Sequence, residues 1–187
     1  MSNYERIQIR QAIRAAEGYL DLIQVFAGKW PPKEKTRNSL AQRALDALAD
    51  LPKKRGHDAQ IQYLRGEALR SMEMYSEAVQ PLREAARSEH RKLNVMLALG
   101  WCYKRLGQLD DAIEALEEAL CDYPDEGLLH YNLACYWSLA SEPCLAIQYL
   151  SQAFELDPAY RDLVASETDF DPIREDPGFQ ALTAIIV

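Results

Sequence analysis

The chain has 187 residues, 48% of them hydrophobic, and a formal net charge of −8. That is enough apolar material for a core without disulfide staples, and the acidic balance argues against nucleic acid as a partner. Charge is uneven: up to Gln108 there are 19 Lys and Arg against 12 Asp and Glu, and from Leu109 onward 2 against 17. Solvated outer faces account for this asymmetry, and so does a bipolar molecule that stacks head to tail. Cys102, Cys121, Cys135 and Cys144 form no C-x-x-C pair, and His57, His90 and His130 stand apart from one another. The expectation is four reduced, buried cysteines, with no metal and no cofactor.

The chain opens on "MSNYERIQIRQAIR", charged and periodic, which is not the apolar run of a signal peptide. No apolar stretch is long enough to span a bilayer, so no membrane partner is expected and the location expected is the cytoplasm. Ile9, Ile13, Ala16, Leu20 and Ile23 fall at helical spacing and predict a long first helix. "SLAQRALDALADLP" predicts a second, ending at Pro52, with "AGKWPPKEKTRN" as an enlarged connection. Trp30 in that connection is either a packing anchor or an exposed contact. "PKKRGHD" reads as a polar linker, closing an N-terminal unit of residues 1–58.

From residue 59 the sequence repeats every 34 positions without a gap: 59–92, 93–126 and 127–160. The eighth place holds Gly66, Gly100 and Ala134, and the twentieth Ala78, Ala112 and Ala146. Leu82, Leu116 and Leu150 share the twenty-fourth, and Ala85, Ala119 and Ala153 the twenty-seventh. Small residues at fixed places inside amphipathic helices let paired helix axes approach to the lower end of the usual separation. Gly107 predicts a left-handed helix cap, Asp110 an N-cap for the helix after it, and Pro124 that helix's end. In the third repeat "ASEPC" replaces the glycine turn and predicts a turn of different shape. In the first, Pro81 lies inside a helix and should bend it. His90 takes the place of the closing proline, so that helix is expected to run on or to turn more loosely.

A 34-residue helix–turn–helix period resembles the tetratricopeptide repeat, most of all in "LGWCYKRLGQLDDAIEALEEALCDYP". The resemblance implies an all-α fold, a right-handed superhelical stack of helical hairpins (an α-solenoid), with "AAEGYLDL" matching a degenerate first hairpin that puts Gly18 in the small-residue place. Residues 161–187 would form capping helices. There "DFDPIREDPGF" is similar to the closing segment of many bacterial tetratricopeptide proteins, with Phe170, Ile173, Phe179 and Leu182 tucked under the last repeat. In that family the first helix of each repeat lines a concave groove that binds a peptide or helix of another protein. Carried over, the groove residues are Tyr63, Glu67 and Arg70, then Asn94, Leu97, Trp101, Lys104 and Arg105, then Leu128, Tyr131, Cys135 and Ser138. The clamp with which some members grip a carboxylate tail is missing: its places hold Tyr63, Glu67, Ala98, Leu128 and Asn132.

No catalytic motif is present: there is no G-x-S-x-G, no phosphate loop and no H-E-x-x-H. Asp169, Asp171, Glu175 and Asp176 lack the spacing of a calcium loop and read as turn and cap residues. The sequence therefore reads as a non-enzymatic interaction module whose partner is another protein. A self-assembling scaffold, weakly homo-oligomeric, and a secretion-type chaperone are the alternatives.

Overall fold

The computed structural model describes residues 3–27, 31–49, 51, 58–88 and 92–184. Among them every regular element is helical, and none of the helices is long and apolar enough to cross a membrane. Trp30, Pro52, His90 and the linker at 52–57 lie outside the described residues. The chain divides into two compact units, Met1–Cys102 and Tyr103–Val187.

The first unit is built from α1 (Asn3–Ala27), α2 (Glu34–Ala49), α3 (Asp58–Ser71), α4 (Tyr75–Ala86) and most of α5 (Lys92–Arg105). α2 begins five residues ahead of the predicted "SLAQ" start, so the connection before it is shorter than expected. The predicted stripe of α1, Ile9, Ile13, Ala16, Leu20 and Ile23, is buried against Ala41, Ala44 and Leu48 of α2 and Ile61, Leu64 and Ala68 of α3. The small residue of that stripe is Ala16; Gly18 faces solvent, with nothing within 4 Å of where a Cβ would stand. Gly18 therefore does not fill the close-packing place assigned to it.

Gly66 does. A Cβ there would stand 2.5 Å from both Cγ and Cδ2 of the fully buried Leu82 on α4, so α3 and α4 touch at this point only because the side chain is absent. Both α4 positions that flank Leu82 on the same face, Ala78 and Ala85, are also fully buried.

The second unit holds α6 (Leu109–Asp122), α7 (Gly127–Leu139), α8 (Pro143–Leu156), α9 (Tyr160–Val164), a 3₁₀ segment (Thr168–Ile173) and α10 (Pro177–Thr183). α7 is apolar around most of its circumference, as a helix packed on several sides must be. It contacts α6, α8 and the 3₁₀ segment, and nine of its thirteen residues are buried.

The 34-residue period is visible in the element bounds: α3, α5 and α7 end at Ser71, Arg105 and Leu139, and α4, α6 and α8 begin at Tyr75, Leu109 and Pro143. The three turns between them share one hydrogen-bond pattern. Met74, Gln108 and Glu142 donate their N–H to the carbonyls of Leu69, Tyr103 and Trp137. Glu73, Gly107 and Ser141 donate to those of Arg70, Lys104 and Ser138. This is the Schellman closure, which requires a left-handed residue just past the helix; φ is +61° at Glu73, +73° at Gly107 and +61° at Ser141. The turn at "ASEPC" is thus the same turn, not a different one. Ser141 bears the strain that glycine would avoid, and Pro143 starts α8, where its missing N–H costs nothing.

Two further expectations are corrected. Asp110 is not the cap of α6: that position is Gln108, whose side chain makes no capping bond, and Asp110 and Asp111 sit in the first turn, where the helix dipole favours carboxylates. Of the two outcomes expected at the end of α4, running on is excluded, since the helix ends at Ala86, two places before the register of α6 and α8; a looser turn at His90 lies outside the described residues. Of the cysteines, Cys102 and Cys135 are buried as expected, but Cys121 and Cys144 are exposed, and all four are free thiols.

These contacts predict stability changes of opposite sign. Gly66→Ala should destabilise by about 1–3 kcal/mol through overpacking, despite alanine's better helix propensity. Ser141→Gly should stabilise by about 1 kcal/mol, and Gly107→Ala should cost about the same. Urea unfolding midpoints of the three variants check all three.

Candidate functional site

In the first unit the twelve candidate residues begin on α3. Tyr63 is half-buried. Glu67 is buried, and Arg70, one turn later, grips it with two hydrogen bonds of 2.8 Å from Nε and Nη2. Burial pulls the Arg70 pKa down, but the hydrogen bond and charge of Glu67 outweigh it and hold the guanidinium above its ordinary value. The pair sits near Cys102, whose thiol burial pushes up to about 11 although Arg70 draws it the other way. Cys102 is therefore a protonated core residue and a poor nucleophile.

α5 presents Asn94, Leu97, Trp101 and Arg105 at steps of three, four and four residues, which is one helical face. Asn94 and Arg105 are exposed, Leu97 is half-buried, and Trp101 keeps 37% of its surface in solvent. Much of the rest of the helix, Val95, Met96, Ala98, Leu99 and Cys102, is core.

In the second unit the corresponding face is occupied by the chain itself. Tyr131, Cys135 and Ser138 of α7 are all buried, and only Leu128 remains exposed. Tyr131 stacks on Tyr160 of α9 with ring centroids 5.0 Å apart, and meets Phe170 of the 3₁₀ segment edge-on at 5.8 Å. Phe170 in turn packs against Phe179 of α10 at 5.4 Å. Gly127 opens α7 without a side chain, and a Cβ there would stand 2.9 Å from the Tyr160 ring. Burial, then the nearby acidic groups, raises the Tyr131 pKa well above that of an ordinary phenol.

The polar part of this contact is ionic. Lys104 donates to the carboxylate of Asp169 across a chain separation of 65 residues, with both side chains largely buried. The Sγ of Cys135 and carboxylate oxygens of Glu167 and Asp169 all lie within 4.8 Å of one another. Three such groups resemble a metal-ligand set, but the cation already there is the Lys104 ammonium. Burial first, then both carboxylates, holds the Cys135 thiol far above its usual range and therefore protonated. The rest of the acidic run serves turns and caps. Asp171 accepts from Arg174 at 2.6 Å, Arg174 also donates to the Glu167 carbonyl at 2.7 Å, and Asp176 accepts from the amides of Gly178 and Phe179.

Of the twelve residues, then, Lys104, Tyr131 and Cys135 face this chain's own C-terminal segment, Ser138 is buried, and Glu67 is held by Arg70. Tyr63, Arg70, Asn94, Leu97, Trp101, Arg105 and Leu128 keep solvent-facing surface. The sequence reading tucked Phe170, Ile173 and Phe179 under the last repeat, where they are indeed buried, but it left Tyr131 and Cys135 on an open groove and missed the contact of the closing segment with this face of α7. Its signal was available: the "DF" of Asp169 and Phe170 offers an anion and a ring to the cation and ring at Lys104 and Tyr131.

Helices in 34-residue register, closed by one repeated turn, define an all-α helical-repeat fold. The tetratricopeptide repeat model matches residues 93–134, which are α5, α6 and the start of α7. Among solved structures the chain is similar to a crystal structure of MamA, at 19% identity over 80% of this chain and 89% of that one, with a TM-score of 0.58. It is similar also to MamA from Desulfovibrio magneticus RS-1 (18% identity, 85% and 98% covered, TM-score 0.58). MamA AMB-1 gives 22% identity, 82% and 98% covered, and a TM-score of 0.56. At these identities the likeness establishes the fold. No curated protein matches the sequence.

The Lys104–Asp169 pair predicts a measurable coupling. Asp169→Asn should lower stability by about 3 kcal/mol, because a largely buried ammonium is left facing an amide. Adding Lys104→Met should recover part of the loss in a double-mutant cycle followed by urea denaturation.

Proposed function

We propose that this chain is a non-enzymatic, cytoplasmic protein-interaction module that holds a peptide or helix of a partner protein on the outward faces of α3 and α5. Tyr63, Arg70, Asn94, Leu97 and Trp101 supply the surface, and Arg105 extends it on the next turn of α5. The observation that carries the reading is Trp101: a large ring more than a third exposed on a helix much of which is core. Tryptophan, tyrosine and arginine are the residue types that dominate binding energy at protein interfaces.

The self-contact in the second unit supports the reading and gives it chemistry. There the corresponding helix face takes an irregular segment that brings one aromatic anchor, Phe170, and one carboxylate, Asp169. A partner segment with an aromatic or aliphatic anchor beside an acidic residue suits Trp101 and Arg105 in the same way.

Replacing Trp101 and Arg105 together by alanine should weaken capture of the partner by about a hundredfold, the loss of two hot-spot side chains. Helical circular dichroism should stay unchanged, because both side chains are exposed. Capture from native lysate followed by mass spectrometry supplies the partner, and a titration of both proteins measures the effect. Equal affinity of the double variant and the parent would reject this surface.

A further inference from the structure

α1 has two apolar faces, and only one of them is used inside this unit. Opposite the core stripe, Tyr4 is 69% exposed, Ile7 47%, Leu22 47% and Val25 74%. With 3.6 residues per turn, these four together with Gln11 and Gly18 fall within about 60° of arc, directly away from the core. Four large apolar side chains lined up in water on one helix are a seam without its mate.

The order of residues along the seam identifies the mate. Read from either end it is bulky, bulky, small or polar in the middle, bulky, bulky. A two-fold axis across the helix near Arg14 and Ala15 sets Tyr4 against Val25 of a second copy, Ile7 against Leu22, and Gln11 against Gly18. Such self-complementarity is what an isologous contact demands, since both copies present the same patch; a partner of different sequence demands no symmetry. Gly18 fits the scheme. Glycine weakens a helix, and nothing of this chain lies within 4 Å of the missing side chain. Opposite Gln11 of a second copy the open space has a use.

Charge selects the direction. Arg10 and Arg14 flank the seam in the first half of α1 and Asp21 flanks it on the same side in the second, all three exposed. Antiparallel pairing brings Arg10 beside Asp21 of the second copy, twice over, against one approach of Arg14 to its own copy at the axis; parallel two-fold pairing sets this flank against the opposite one, Gln8, Ala12, Ala15 and Tyr19, and makes no such ion pair. At about 1.5 Å per residue, Tyr4 to Val25 of α1 also make a seam of about 32 Å, long enough for two apolar clusters separated by the close middle.

We infer that α1 is a homodimerisation helix, pairing antiparallel with α1 of a second copy of this chain about a two-fold axis near Ala15.

The test uses the full chain with the exposed Cys121 and Cys144 changed to serine. Sedimentation velocity should show a concentration-dependent dimer at about 10–100 μM, in the range of a modest interface. Ile7→Asp or Leu22→Asp should weaken it by about a hundredfold, since each change counts twice across the axis. Arg10→Asp should weaken it, and Arg10→Asp with Asp21→Arg should restore it. Under mild oxidation Ala15→Cys should form a disulfide-linked dimer and Tyr4→Cys should not. Replacing Trp101 and Arg105 should leave the dimer intact, which separates this inference from the partner-binding surface. A monomer at 100 μM, a dimer indifferent to Ile7 and Leu22, or a Tyr4→Cys dimer as abundant as the Ala15→Cys dimer would each overturn it. Because all the altered residues are exposed, circular dichroism should show native helix in every variant.

Discussion

The distance between α3 and α4 is set by an absent side chain. Leu82 lies where a Cβ on Gly66 would have to be, and the alanines beside Leu82 keep the rest of that face equally thin. A helix pair this close leaves no space for water and gains dispersion contacts along its length. That gain outweighs the cost of a glycine in mid-helix. In the third repeat the place of Gly66 is held by Ala134 and that of Leu82 by Leu150, both fully buried, so one methyl group can be admitted where the local fit allows it. Glycine is one solution to a spacing requirement, and alanine is another.

The turns make the parallel point for the backbone. Three turns with Glu73, Gly107 and Ser141 at the left-handed position close with the same two hydrogen bonds. The repeat geometry is therefore held by helix packing on both sides of the turn, strongly enough to force an ordinary residue into a conformation it resists. This is why reading "ASEPC" by its lack of glycine gave the wrong shape. Local chemistry predicts the relaxed turn, and the packed helices dictate another.

The fold was legible because periodicity is a property of many residues at once. Gly66, Ala78, Leu82 and Ala85 recur at 34, and an error at one place is outvoted by the others. The α1 core stripe was legible for the same reason. Boundaries were less so: the start of α2 and the cap of α6 depend on one or two residues, and Glu34 and Gln108 carry no strong signal. The candidate surface was the least legible part. Lys104 and Tyr131 have the composition of a binding face, and they do bind, but their ligand is the chain's own Asp169 and Phe170. Composition marks a surface as adhesive without telling whether the adhesion is already spent within the molecule. Gly18 is the converse case, a residue that matched a motif in sequence and faces solvent in space.

The Lys104–Asp169 contact also bears on how such a chain can lengthen. Its cation comes from the end of α5 and its anion from beyond α9, and the rings beside it come from α7, α9 and the 3₁₀ segment. The last hairpins and the closing segment are thus a matched set, which no extra unit can enter without parting the ion pair from its rings. Duplication of a 34-residue unit upstream, around α3 and α4, meets no such obstacle. Descendants of this sequence with more hairpins should have grown at the front, carrying the same terminal fitting unchanged.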